Sequence, residues 1–97
     1  MNTESVSKLN NQLLFTQYED PSHSWLEVPY DLLVKLGIED KITCYSFRKG
    51  NLCYLEEDND WSTFHDAMEN AGEKYKVNRQ FYNYEAPCCA YWHYRAT

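Results

Sequence analysis

The apolar positions of this chain fall into short runs separated by turn-forming residues. Leu13-Leu14-Phe15-Thr16-Gln17-Tyr18 is β-branched and aromatic with no breaker, and predicts a strand. Glu19-Asp20-Pro21-Ser22 is a turn, because Pro21 fixes its own φ and pushes Asp20 out of the helical region. Ser24 to Val28 predicts a second short strand. Pro29 then opens a helix, with Asp31 in its first turn, Leu32, Leu33 and Leu36 on one face, and Gly37 as its stop. At about two turns, this helix depends on tertiary packing.

Ile42–Phe47 and Leu52–Glu57 read as a hairpin around Arg48-Lys49-Gly50-Asn51. A turn centred on Lys49-Gly50 sets Cys44 opposite Leu55, Ser46 opposite Cys53, Tyr45 opposite Tyr54 and Phe47 opposite Leu52. One face then carries Ile42, Cys44, Cys53 and Leu55 and reads as core. The other carries Tyr45, Phe47, Leu52 and Tyr54. That face is too apolar for plain solvent, so it is either covered by another element or used for binding. Asp58 or Asp60 is placed to N-cap a second helix, in which Trp61, Phe64, Met68 and Ala71 form an amphipathic stripe that Gly72 ends. Tyr75–Tyr84 alternates as a last strand, broken by Glu85-Ala86-Pro87.

The predicted order is ββαββαβ: a small α+β domain, residues 1–97, whose mostly antiparallel sheet carries two short helices. Residues 1–12 are expected to fray, and the aromatic tail 85–97 to pack on the domain or on a partner.

With 97 residues the chain has room for one core, but not for a large enclosed cofactor cavity. Lys plus Arg number 9 and Asp plus Glu 15, a formal charge of −6. That balance opposes direct nonspecific nucleic-acid binding, which needs a basic face. No apolar run is long enough to span a membrane. The polar start, Met1 to Gln12, has no signal-peptide pattern, so a cytoplasmic location is expected. In that reducing compartment Cys44, Cys53, Cys88 and Cys89 are expected as free thiols. Cys88-Cys89-x3-His93, with Cys44 or Cys53, is the one zinc alternative. Its adjacent cysteines suit a single ion poorly, and neither metal nor cofactor is assigned.

Two constellations carry the candidate chemistry. Glu56, Glu57, Asp58, Asp60, Asp66, Glu69 and Glu73 fall within one segment that contains no Lys or Arg. The plain reading is a capped helix with a solvated face. The functional reading is an electronegative patch that docks on a basic partner or mimics nucleic-acid phosphates. Glu56, Glu57, Asp58 and Asp60, with Tyr45 and Tyr54 beside them, are the candidate partner-binding residues. The second constellation is His23 with Trp25, Glu57 and Asp58, a candidate ligand site. Glu56, Glu57 and Asp58, at a strand-to-helix junction, could meet His23 on one edge of the sheet, and Glu27 is a further carboxylate that His23 could use. Trp25 is read either as a core anchor or as an exposed platform. His65 and His93 read as plain edge or surface histidines. No hydrolase, P-loop, dinucleotide or zinc-protease motif occurs, and the protein is expected not to be an enzyme.

Asp20-Pro21-Ser22-His23-Ser24-Trp25-Leu26-Glu27-Val28-Pro29, then Leu36-Gly37-Ile38, then Tyr54-Leu55-Glu56-Glu57-Asp58, resembles a group of small uncharacterised proteins of bacteriophages, plasmids and other mobile elements. Their pattern is D-P-x-H-G-W-L-x-V-P, then L-G-I, then Y-L-E-E-D, and the resemblance runs from about Phe15 to Gly72. Ser24 stands where that pattern usually has Gly, which raises the question whether the position needs a positive φ. The resemblance implies a mobile-element protein without a settled activity. By analogy with other small acidic proteins of such elements, it implies an inhibitor that occupies a host protein, such as a defence or nucleic-acid-handling complex. The alternative is a small-molecule-binding or catalytic protein that uses His23 with Glu57 and Asp58. The aromatic tail and hairpin leave room for a homodimer.

Overall fold

The computed structural model describes residues 7–9 and 12–97. The strands are β1 (Ser7–Leu9), β2 (Gln12–Glu19), β3 (Ser24–Pro29), β4 (Phe47–Lys49), β5 (Leu52–Glu56), β6 (Tyr75–Phe81) and β7 (Trp92–His93). Helix α1 (Tyr30–Lys35) follows β3, and α2 (Trp61–Asn70) lies between β5 and β6. A single 3-10 turn covers Pro87–Ala90. Six strands lie side by side in the order β6-β2-β3-β5-β4-β7, and β1 pairs with the first residues of β2. All described pairings are antiparallel except β2 with β6, which is parallel. The α+β class and the two helices packed on a mostly antiparallel sheet are therefore as the sequence predicts.

Both faces of the sheet are covered. Phe15, Leu26, Val28, Cys53 and Leu55 point to one side, where they meet Leu32 and Leu33 of α1 and Phe64 and Met68 of α2. Both helices stop at their predicted glycines. The Ile38 N–H bonds to Leu33 O and the Gly37 N–H to Val34 O, and the pattern recurs with Glu73 to Met68 and Gly72 to Glu69. On the other side Trp25 and Tyr54 are covered by Ala86 and Cys88, with Tyr18, Phe47, Leu52, Tyr82 and Tyr91 packed around them. The tail thus packs on the domain. It closes with β7 added to β4 and with Tyr94 buried, its hydroxyl donating to Glu39 O at 2.6 Å.

Within the stretch 1–12 expected to fray, Ser7–Leu9 pairs with the start of β2, and residues 1–6 and 10–11 lie outside the described residues. Several expectations are corrected. The hairpin register is shifted: Phe47 faces Tyr54, Arg48 faces Cys53 and Lys49 faces Leu52. The central turn residues are therefore Gly50 and Asn51, and Gly50, at φ 60°, takes the left-handed conformation that a tight hairpin turn demands. The shift keeps Phe47, Leu52, Cys53, Tyr54 and Leu55 on their predicted faces. The first hairpin strand is also shorter than predicted, because Ile42–Ser46 leaves the ladder. Asp60 removes that stretch by accepting hydrogen bonds from the Thr43 N–H and from the Thr43 and Ser46 hydroxyls. Cys44 and Tyr45 consequently lie exposed in a loop. The last strand ends at Phe81 rather than Tyr84, and Pro29 closes β3 opposite Leu52 instead of lying inside α1.

Candidate functional site

The site is built on two turns that the sheet brings together. The first is Asp20-Pro21-Ser22-His23. The Asp20 Oδ1 accepts from the Ser22 N–H, the Ser22 hydroxyl and the His23 N–H, a local side-chain turn typical of Asp. The Asp20 N–H closes the turn on His23 O at 2.9 Å. Its second oxygen accepts from the Ala86 N–H at 2.8 Å and so ties the turn to the C-terminal cover. Burial alone would raise the Asp20 pKa, but these N–H and O–H donors hold it down to about 2.

The second turn follows β5. Glu56 is 5% exposed, and its Oε1 accepts from the Asp58 and Asn59 N–H groups and from Asn59 Nδ2. That wrapping fixes the backbone that presents Glu57 and Asp58. Trp25 faces Glu56 across the β3–β5 ladder, so the two turns meet at one end of the sheet. The Glu57 N–H donates to Ser24 O, and the Ser24 hydroxyl donates to Glu57 Oε2 at 2.7 Å. Ser24 is an extended strand residue paired with Glu19, so the serine brings no positive-φ demand and supplies a donor instead.

The outcome is a convergent group. One ligand atom from each of His23, Glu56, Glu57 and Asp58 lies within 4.8 Å of all the others. His23 Nδ1 is 3.4 Å from Glu56 Oε2, and its half-exposed ring packs edge-on to Trp25 at 5.9 Å between centroids. Among the described residues no Lys or Arg pairs with these carboxylates. An imidazole nitrogen with carboxylate oxygens is a donor set that suits divalent cations such as Mn²⁺ or Zn²⁺, so these four are the residues able to hold one.

The other candidates separate from this group. Asp60 is fully buried at the N-cap position of α2, but its side chain makes no cap hydrogen bond; it is occupied by Thr43 and Ser46. It belongs to the architecture and presents no charge to a partner. Tyr54, 4% exposed, lies beneath the C-terminal cover, whereas Tyr45 is 64% exposed. Of the two tyrosines proposed for an exposed face, only Tyr45 is on the surface. Trp25 is a core anchor, and its Nε1 is the one buried side-chain polar atom without a partner among the described residues. Glu27 stands apart from His23. It accepts from the Tyr18 hydroxyl at 3.4 Å, and burial raises its pKa. The same burial, reinforced by Glu27, pushes Tyr18 up to about 12. Cys88 is buried in the second core, Cys89 is half-buried, and His93 pairs its Nδ1 with Cys44 O at 2.8 Å.

Sequence reasoning placed Glu56 with Glu57 and Asp58 near His23, but it missed that Glu56 is buried and anchors the turn, and it missed the hold of Asp60 on the 43–46 loop. Glu56 carried a signal, an acid directly before the turn Glu57-Asp58-Asn59, where a carboxylate can accept the next free N–H groups. Comparison with known proteins gives no match to a family model, to a curated protein or to a solved structure. No helix among the described residues is long and apolar enough to cross a membrane.

Proposed function

We propose that this is a non-enzymatic binding protein that presents the corner formed by His23, Glu56, Glu57 and Asp58 to a basic surface on another protein. The observation that carries the reading is the convergence of three carboxylates, within 4.8 Å of one another and of His23, without a Lys or Arg partner among the described residues. Like charges held together without a counter-charge repel, and an incoming guanidinium or ammonium group relieves that repulsion. Exposed Asp66, Glu69 and Glu73 on and after α2 extend the negative field and would steer the encounter. The resemblance to mobile-element proteins supports a host protein as the partner, in a defence or nucleic-acid-handling complex, with inhibition by occupancy as the mode of action. The test is capture from host lysate with the wild-type chain and the Glu57→Gln/Asp58→Asn variant in parallel. A stoichiometric partner held by the first and released by the second supports the reading. Equal capture by both, or no partner across several hosts, overturns it.

A second reading is favoured by the presence of an imidazole in the set: a small ligand or divalent cation bound by His23, Glu57 and Asp58 against buried Glu56. Titration of Mn²⁺ or Zn²⁺ with the melting temperature as readout decides it. A saturable rise that His23→Ala abolishes supports this reading, and an unchanged melt removes it.

A further inference from the structure

The other end of the sheet carries the opposite chemistry. A cleft of about 620 Å³ lies where β4, the hairpin turn and β7 meet, lined by Arg48, Gly50, Trp92, His93 and Arg95. Two guanidinium groups line it, and no carboxylate among the described residues pairs with either, although the chain as a whole carries −6. Trp92 is 86% exposed, the most exposed of the large apolar side chains among the described residues.

The cationic wall is already in place. The Arg48 Nε donates to Gly50 O at 2.8 Å and its Nη1 to Arg95 O at 2.7 Å, while its guanidinium carbon lies 3.6 Å from the Tyr30 ring centroid. A guanidinium has five N–H donors, so this fixed group keeps three uncommitted. Its rotamer freedom is already lost, which lowers the entropy cost of gripping an anion. His93 is fixed in the same manner. Its Nδ1 donates to Cys44 O, its ring stacks on Phe47 at 5.3 Å, and Nε2 has no partner among the described residues. Trp92 and His93 are held by the pairing of β7 with Arg48 and Phe47 of β4.

We infer that this cleft binds a mononucleotide, with the base stacked on Trp92 and the phosphate held by Arg48 and Arg95. An exposed indole offers a face to any base, and planar guanidinium forks match phosphate oxygens. The cleft volume lies within the range of ordinary small-ligand sites. A single small anion such as inorganic phosphate would use the arginines and leave the indole idle. The site shares no residue with the acidic corner and stands independently of its reading.

The test is titration with adenosine monophosphate, adenosine and inorganic phosphate, followed by tryptophan fluorescence and calorimetry. The monophosphate is expected to quench fluorescence saturably at millimolar concentration or below. Trp92→Ala is expected to weaken it by about fivefold or more, the range for loss of one base-stacking contact. Arg95→Ala leaves the Arg95 carbonyl that holds Arg48, and is expected to weaken the monophosphate while leaving adenosine unchanged. The assignment is overturned if the wild-type chain shows no saturable binding, if Trp92→Ala binds the monophosphate as well as wild type, or if inorganic phosphate binds as tightly as the nucleotide.

Discussion

Ser24 and Glu57, 33 positions apart in the chain, are joined by a 2.7 Å hydrogen bond from the serine hydroxyl to the carboxylate. This bond orients one oxygen of Glu57 while the Glu57 N–H is held by Ser24 O. Replacing Ser24 by Ala should therefore cost about 0.5–1.5 kcal/mol of stability, the worth of a single hydrogen bond. It should also loosen Glu57 and weaken whatever cation or basic group the corner takes. Chemical denaturation and binding measured on the same variant check both parts. A variant as stable as wild type with undiminished binding would show the bond to be incidental.

The acidic residues should separate sharply by stability. Asp60→Ala removes the acceptor of three donors in the 43–46 loop and should destabilise by about 2–4 kcal/mol. Glu57→Gln and Asp58→Asn, both at exposed positions, should stay within about 0.5 kcal/mol. Urea melts of the three variants settle this.

The tyrosines should separate in the same way. Tyr54→Ala empties a buried position beneath the C-terminal cover and should cost about 3–5 kcal/mol, by analogy with other buried aromatic truncations. Tyr45→Ala, in the exposed loop, should leave the melting temperature nearly unchanged, and any effect it has should appear only in partner dissociation.

Acid should weaken the link between the Asp20 turn and the C-terminal cover. The Asp20 carboxyl titrates near 2 when folded, against an ordinary value of 3.8. Its contribution is therefore complete above about pH 4 and lost as the pH falls through 2. The protection of the Ala86 amide against exchange, taken relative to an unstructured amide at the same pH and followed from pH 5 downward, should fall over that window in the wild type. In Asp20→Ala that protection should be low throughout.

The thiols should react unequally. Cys44 is exposed, whereas Cys53 is buried with its pKa pushed up to about 12, and burial likewise raises Cys88. A thiol reagent added to the native protein should modify Cys44 first, leaving Cys53 and Cys88 protected until the chain is unfolded. Mass mapping of modified positions checks the order.

Periodicity made the helices, their glycine stops and the two-faced hairpin legible, because each follows from local spacing. The covered face at Tyr54 and Phe47 was legible only as a choice between packing and binding. The lid that decides it, Ala86 to Tyr91, comes some thirty residues later. The register failed because both Lys49-Gly50 and Gly50-Asn51 are acceptable turn centres, and only the cross-strand fit selects one. Asp60 was misread because an Asp before a helix nearly always suggests a cap, and nothing local reveals that Thr43 and Ser46 compete for it. The meeting of His23 with Glu57 and Asp58 could be guessed from the paired motifs. Their juxtaposition depends on β3 lying beside β5, a neighbour relation that spacing does not encode.

The parallel pairing of β2 with β6 has a consequence for biosynthesis. β2 is made early, yet one of its edges has no neighbour until Tyr75–Phe81 has left the ribosome, and Asp20 waits still longer for Ala86. A nascent chain stalled after α2 would hold β2 with that edge open, able to recruit a strand from a neighbouring chain. The domain should therefore close only once its last strands have emerged, and crowded polysomes should be where it aggregates most readily.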